Sequence, residues 1–132
     1  AEWEFSFDAS VEYQQVYYGQ FLYDWQAVKY PAWKMLDGEY EVAPGFVILP
    51  LPGHTPGVQG VFVTTEEGVL CMPGDSCNVV ENVVDNVLPD IIWDCEKGYQ
   101  SLETIRSRAD RVFPGHDASI QKYQCLEFPK VR

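Results

Sequence analysis

The only two histidines of the chain, His54 and His116, each follow a glycine at the end of an apolar run. The first lies in Leu51-Pro52-Gly53-His54-Thr55-Pro56-Gly57 and the second in Phe113-Pro114-Gly115-His116-Asp117. Asp75 repeats the arrangement: it follows Gly74 in Met72-Pro73-Gly74-Asp75-Ser76, again after a hydrophobic stretch. Glycine accepts backbone angles that other residues avoid, so each turn can aim a side chain out over the end of a sheet. Open α/β sheets build their sites where several strands deliver residues to one edge. Imidazole and carboxylate donors together suit zinc, iron, manganese or nickel. A plainer reading stands beside this one. Histidine in a Gly/Pro loop is often just a turn residue, and the aspartate of Gly-Asp-Ser a turn or cap former. Residue types and spacing alone leave both open.

Strands must precede these turns if the turns are to meet. Glu39 to Val42 alternates weakly, as a short strand before Pro44-Gly45. Phe46 to Leu51 is continuously apolar, the pattern of a strand covered on both faces. Gln59 to Thr65 and Val69 to Met72 read as two more strands, joined by the turn Glu66-Glu67-Gly68. Asn78 to Trp93 reads as irregular, punctuated by Pro89-Asp90. Cys95 to Ala109 reads as a helix, with Leu102, Ile105 and Ala109 on one face and Arg106 and Arg108 suiting its carboxyl end. Arg111 to Phe113 is a short strand that leads into His116. Upstream of all these, Asp8 to Val28 reads as an aromatic helix. Tyr13, Tyr17, Phe21 and Trp25 recur every four residues, Val16 and Tyr23 widen the stripe, and Pro31 ends it. That stripe packs against a core or, through residues such as Tyr17 and Tyr23, roofs a substrate pocket. With no repeat, linker or low-complexity tract, residues 1–132 read as one α/β module.

The histidine loop Leu51 to Gly57, then Gly74-Asp75 after a strand, then Phe113-Pro114-Gly115-His116, resembles the later motifs of the metallo-β-lactamase superfamily. Order and strand context match over residues 46–117. The preceding stretch, Lys34 to Gly45 with its Asp37-Gly38, Tyr40, Val42 and Pro44-Gly45, is similar to the N-acyl homoserine lactonase branch. The resemblance implies an α/β fold that is the carboxy-terminal half of the superfamily's αββα sandwich. It also implies a dinuclear metal centre, zinc foremost with iron or manganese as alternatives. In that centre His54 would bind one ion, His116 the second, and Asp75 would bridge both. A carboxylate suits bridging because its two oxygens can each face one of two ions about 3.5–4 Å apart. Water held between the ions would be the nucleophile, and Asp75 would orient it or pass its proton to the leaving group. Thr55 and Asp117, beside the ligands, would support them.

Three departures qualify the resemblance. The superfamily's HxHxDH motif, which supplies four ligands, is absent, and no third histidine exists. The lactonase branch also carries a tyrosine three residues after the bridging aspartate, where this chain has Asn78. An amide there can donate a hydrogen bond to a substrate but cannot act as a phenol. Val58, too, replaces a histidine common in that loop. The first departure leads to the expectation of a second polypeptide that carries the HxHxDH half. The resulting interface would be large and apolar, because it would be a domain core cut in two.

Composition bounds the rest. With 46% hydrophobic and 14% aromatic residues, the chain can bury a core. Twenty acidic against nine basic residues give a net charge of −11, which repels nucleic acid and anionic membranes. No apolar run is long enough to span a bilayer, and Ala1-Glu2-Trp3-Glu4 is acidic where a secretory leader would be basic. Cys71, Cys77, Cys95 and Cys125 form no CxxC pair, so reduced thiols in a cytoplasmic setting are expected. The expected function is a hydrolase subunit in which a metal-activated water attacks the carbonyl of a small lactone or cyclic amide. The alternatives are a glyoxalase II-like thioesterase and a non-catalytic metal-binding or structural subunit.

Overall fold

A computed structural model describes residues 34–118 of the chain. The aromatic helix expected over Asp8 to Val28, with Tyr17 and Tyr23, lies outside the described residues, as does Cys125. Five strands form one mixed sheet in chain order: β1 (Tyr40–Ala43), β2 (Phe46–Pro50), β3 (Gln59–Thr65), β4 (Gly68–Met72) and β5 (Arg111–Val112). The first four are an antiparallel meander, whereas β5 runs parallel to β4. A parallel neighbour needs a crossover, and helix α2 (Cys95–Arg108) provides it, preceded by the short helix α1 (Val80–Val84).

Alternation along the strands divides the apolar residues between two faces. Val47, Phe62, Cys71 and Val112 are paired in register across β2 to β5 on one face, with Leu49 beside them. They pack against Leu102, Ile105 and Ala109, the face expected of α2, and against Leu51, Cys77 and Val83. On the opposite face the register aligns Ile48 with Val61 and Met72, and Phe46 with Val63 and Leu70. These side chains are half-buried, and Met72 is exposed. Among the described residues both helices contribute to the core on the first face only. Among the described residues the expectation that Phe46 to Leu51 is covered on both faces is therefore met on one side alone.

Asn78 to Trp93, expected to be irregular, contains α1. Valine-rich and only five residues long, the helix is too short to show a period and is built from poor helix formers. A buried asparagine closes it at both ends. Val79 N–H donates to Asn82 Oδ1 at 2.9 Å, and Asn82 Nδ2 donates to the Val87 carbonyl at 2.9 Å.

Candidate metal centre

Because β2, β4 and β5 point the same way, their carboxyl ends share one edge of the sheet. The three Gly-X turns leave from that edge, and their side chains meet. His54 Nε2 lies 3.6 Å from Asp75 Oδ2, and His116 Nε2 lies 2.9 Å from Asp75 Oδ1. Each carboxylate oxygen thus faces a different imidazole. His54 is the most enclosed of the three side chains, while Asp75 and His116 open to solvent.

The glycines make this convergence possible, though not all in one way. Gly53 and Gly74 have φ of +146° and +56°, angles that side chains disfavour. Gly53 also abuts Gly98 of α2: a Cβ on Gly53 would lie 2.5 Å from the Gly98 Cα. Gly115 is needed for close approach instead, since a Cβ there would lie 2.9 Å from the Gly74 carbonyl oxygen, in the turn that bears Asp75. Backbone bonds fasten the same contact. Gly115 N–H donates to the Cys77 carbonyl at 2.9 Å and His116 N–H to the Asn78 carbonyl at 2.8 Å.

The His54 ring is oriented from behind, with Nδ1 lying 2.8 Å from the Ile91 carbonyl oxygen. A carbonyl can only accept, so Nδ1 carries the proton of this bond. In the neutral ring Nε2 then keeps its lone pair on the side that faces Asp75. A lone pair and a carboxylate oxygen at 3.6 Å repel each other unless a proton or a metal cation lies between them. Backbone support of the outer ring nitrogen is also how metal-bound histidines are commonly held.

These donors fit a metal in type and spacing. Two donors on one tetrahedral zinc, each about 2.0–2.1 Å away, are held about 3.3 Å apart, and the contacts of 2.9 and 3.6 Å bracket that spacing. The set is partial, however. Among the described residues no group of three or more His, Cys, Asp or Glu side chains is placed so that it could hold a metal ion by itself. One histidine and a shared carboxylate per ion leave each position short of donors.

The other expected site residues are placed as follows. Asn78 is half-buried, and its Oδ1 is buried without a hydrogen-bond partner among the described residues. The Thr55 side chain is buried, and its carbonyl accepts from Gly53 N–H at 3.1 Å. Asp117 Oδ2 accepts from Val80 N–H at 3.3 Å, at the start of α1. Sequence reading missed the contribution of the segment before α2. The Ile91 carbonyl holds His54, and the N–H groups of Trp93 and Asp94 both donate to the Gly53 carbonyl, at 2.8 and 3.0 Å. These are backbone groups and leave no residue-type signal.

No protein-family model matches the chain. An N-acyl homoserine lactonase of Bacillus thuringiensis is 35% identical over 103 residues, a stretch covering 74% of this chain and 40% of that protein. The N-acyl homoserine lactonase of Bacillus cereus shows the same identity and coverage. Among solved structures, an N-acyl homoserine lactone hydrolase with N-hexanoyl-L-homoserine at its catalytic metal centre superposes with a TM-score of 0.58 at 32% identity. That match covers 73% of this chain and 41% of the other. A probable metal-dependent hydrolase from Staphylococcus aureus has a TM-score of 0.65 at 12% identity, over 88% of this chain and 42% of its own, and shows the fold alone. The chain thus spans about 40% of the length of the curated relatives it matches. The expected half of an αββα sandwich is borne out by this partial superposition.

Proposed function

We propose, from the premise that this chain is a homologue of the N-acyl homoserine lactonases over its matched residues, that it forms the carboxy-terminal part of a metal-dependent lactone hydrolase. The observation that carries the reading is the placement of Asp75, with one carboxylate oxygen toward each of two imidazoles. His54 and His116 would each hold one of two divalent ions, zinc foremost, and Asp75 would bridge them. When bound, the ions supply the Lewis acidity that activates water and stabilises charge on a carbonyl oxygen. The chain's own residues supply position and proton transfer. The Ile91 carbonyl fixes the His54 ring so that Nε2 faces the centre. Asp75, open to solvent on one side, accepts the proton of the attacking water and returns it to the alkoxide released as the ring opens. Asn78, three residues on, would donate a hydrogen bond from its amide nitrogen to a substrate carbonyl.

The ligands still needed belong to polypeptide outside the described residues. We assign them to a second chain bearing the HxHxDH motif, which would complete the sandwich against the Ile48, Val61 and Phe46, Val63 face. The matched stretch covers 40% of the relatives' length, which leaves room in them for further ligands outside it. The lactonase relatives favour a lactone over the thioester of a glyoxalase II-like enzyme. Among the described residues Cys71, Cys77 and Cys95 are free thiols, the first two buried, which suits a reducing compartment.

The test is to combine the chain with a polypeptide carrying the HxHxDH half, load zinc, and follow acid release from N-hexanoyl homoserine lactone. Hydrolysis that a chelator abolishes and zinc restores is the expected result. An assembled protein that holds two zinc ions yet opens no lactone would sink the lactonase reading.

A further inference from the structure

The His54 loop is irregular, yet its carbonyls are held one after another by groups from elsewhere in the fold. Leu51 is wholly buried, and its N–H closes the loop by donating to the Val58 carbonyl at 2.8 Å. The Leu51 carbonyl accepts from Ser76 Oγ at 2.5 Å, and the Pro52 carbonyl accepts from Ser101 Oγ at 2.6 Å. The Gly53 carbonyl accepts from the Trp93 and Asp94 N–H groups, and the His54 ring donates from Nδ1 to the Ile91 carbonyl. Ser76 and Ser101 are both buried, at 4% and 3% exposure. The Ser76 bond is buried and the Ser101 bond partly so, and each satisfies a loop carbonyl.

The two hydroxyls come from different elements. Ser76 adjoins Asp75 in the 3₁₀ turn Gly74–Ser76, whereas Ser101 sits within α2. Ser76 thus ties the backbone that carries Asp75 to the backbone three residues before His54, and Ser101 fixes the next carbonyl to the helix. We infer that Ser76 and Ser101 are positioning residues that together set the separation of His54 from Asp75. Through that separation they set how tightly the chain's donors hold an ion. The inference rests on the metal reading above. It adds that two buried hydroxyls, neither of them a ligand, govern affinity at the centre. Supporting groups around a metal site commonly change its affinity 10- to 100-fold.

The experiment compares Ser76→Ala, Ser101→Ala, Ser101→Thr and, as a control, Ser107→Ala, whose hydroxyl bonds within α2 to the Thr104 carbonyl. In the assembled protein, zinc affinity is measured by chelator competition at a temperature where every metal-free variant is folded. Ser76→Ala and Ser101→Ala should each weaken zinc about ten-fold, while Ser101→Thr, which keeps a hydroxyl, and Ser107→Ala stay near the parent. Reduced thermal stability in the two alanine variants with unchanged zinc affinity would make the serines merely structural and overturn the inference. A second readout needs no metal: amide hydrogen exchange at Trp93 and Asp94, which report on the Gly53 carbonyl. Faster exchange there in Ser101→Ala, beyond any global destabilisation, is expected; unchanged exchange overturns the inference. If the parent protein holds no zinc, the metal reading fails by itself, and the exchange measurement still decides the role of the serines.

Discussion

At the scale of single residues, Asp75 is the side chain on which both proposed metal positions depend, because its two oxygens face different histidines. Asp75→Ala in the assembled protein should remove bound metal and lower hydrolysis by more than about 100-fold, beyond what supporting residues around a metal cost. Elemental analysis alongside turnover checks this, and near-normal metal content would show that Asp75 is not a bridge. Asn78 makes a different prediction. Its Oδ1 is buried without a partner among the described residues, and on the proposed reading its amide nitrogen gives the substrate a single neutral hydrogen bond. Asn78→Ala should therefore cost no more than about ten-fold in kcat/KM, equivalent to about 1.4 kcal/mol. A much larger loss, measured with the same lactone, would give the amide a role beyond one hydrogen bond. Asp75 and both histidines were legible in the sequence because glycine marks each turn. The acceptor that orients His54 was not, because a main-chain carbonyl has no signature of its own.

At the scale of elements, the turn before His54 and helix α2 are packed backbone to backbone. Gly53→Ala would set a Cβ 2.5 Å from the Gly98 Cα and impose a side chain on φ of +146°. Unlike a clash with a flexible side-chain tip, this one cannot be relieved by a rotamer change. The substitution should destabilise the metal-free chain by more than about 2 kcal/mol and weaken metal binding, as read by thermal melts and chelator competition. A variant with unchanged melting would mean that α2 and the loop can part at little cost. The buried thiols give the sheet and its adjoining turn a pH signature. Burial, reinforced by neighbouring Cys77, raises the pKa of Cys71 above its ordinary value near 9. Burial pushes Cys77 up to about 12, with Asp117 and Glu81 adding to the rise. The folded state therefore holds these protons more tightly than the unfolded one. Their stabilising effect is intact below pH 9 and is lost as pH rises toward 12. The loss should approach about 1.4 kcal/mol per pH unit for each thiol. Denaturant titrations from pH 8 to 11, with Cys71→Ala for comparison, check it: the alanine variant should lose stability less steeply over that range. Identical slopes would remove the thiol from the alkaline response.

At the scale of the whole molecule, the sheet carries two apolar faces, and the described helices pack on one. The same chain provides a partial donor set and aligns with about 40% of its lactonase relatives. On the proposed reading one cause, a part of the sandwich that lies outside the described residues, would account for all three. The 132-residue chain by itself should self-associate, bind an apolar dye and hold zinc weakly. Addition of the HxHxDH polypeptide should suppress the dye signal and restore zinc and lactone hydrolysis together. Sedimentation, dye fluorescence and metal analysis on the same sample give the answer, and a well-folded monomer that binds two zinc ions alone would refute the split. Among the described residues no helix is long and apolar enough to cross a membrane.

Taken by itself, the sequence determined the strands of the meander, the buried face of α2 and the identity of the three converging residues. Each is written in side-chain type at short range: alternation, a helical period, or glycine before a polar residue. It did not determine α1, whose five residues are closed by the two bonds of Asn82 rather than by any period. Nor did it reveal which groups hold the His54 loop. The Ile91 carbonyl, the Trp93 and Asp94 amides and the hydroxyls of Ser76 and Ser101 come from segments up to 49 residues away. Only tertiary packing brings them to a loop whose buried carbonyls have no partner in regular secondary structure. Without water those carbonyls must find donors, and the fold alone decides which ones lie within reach.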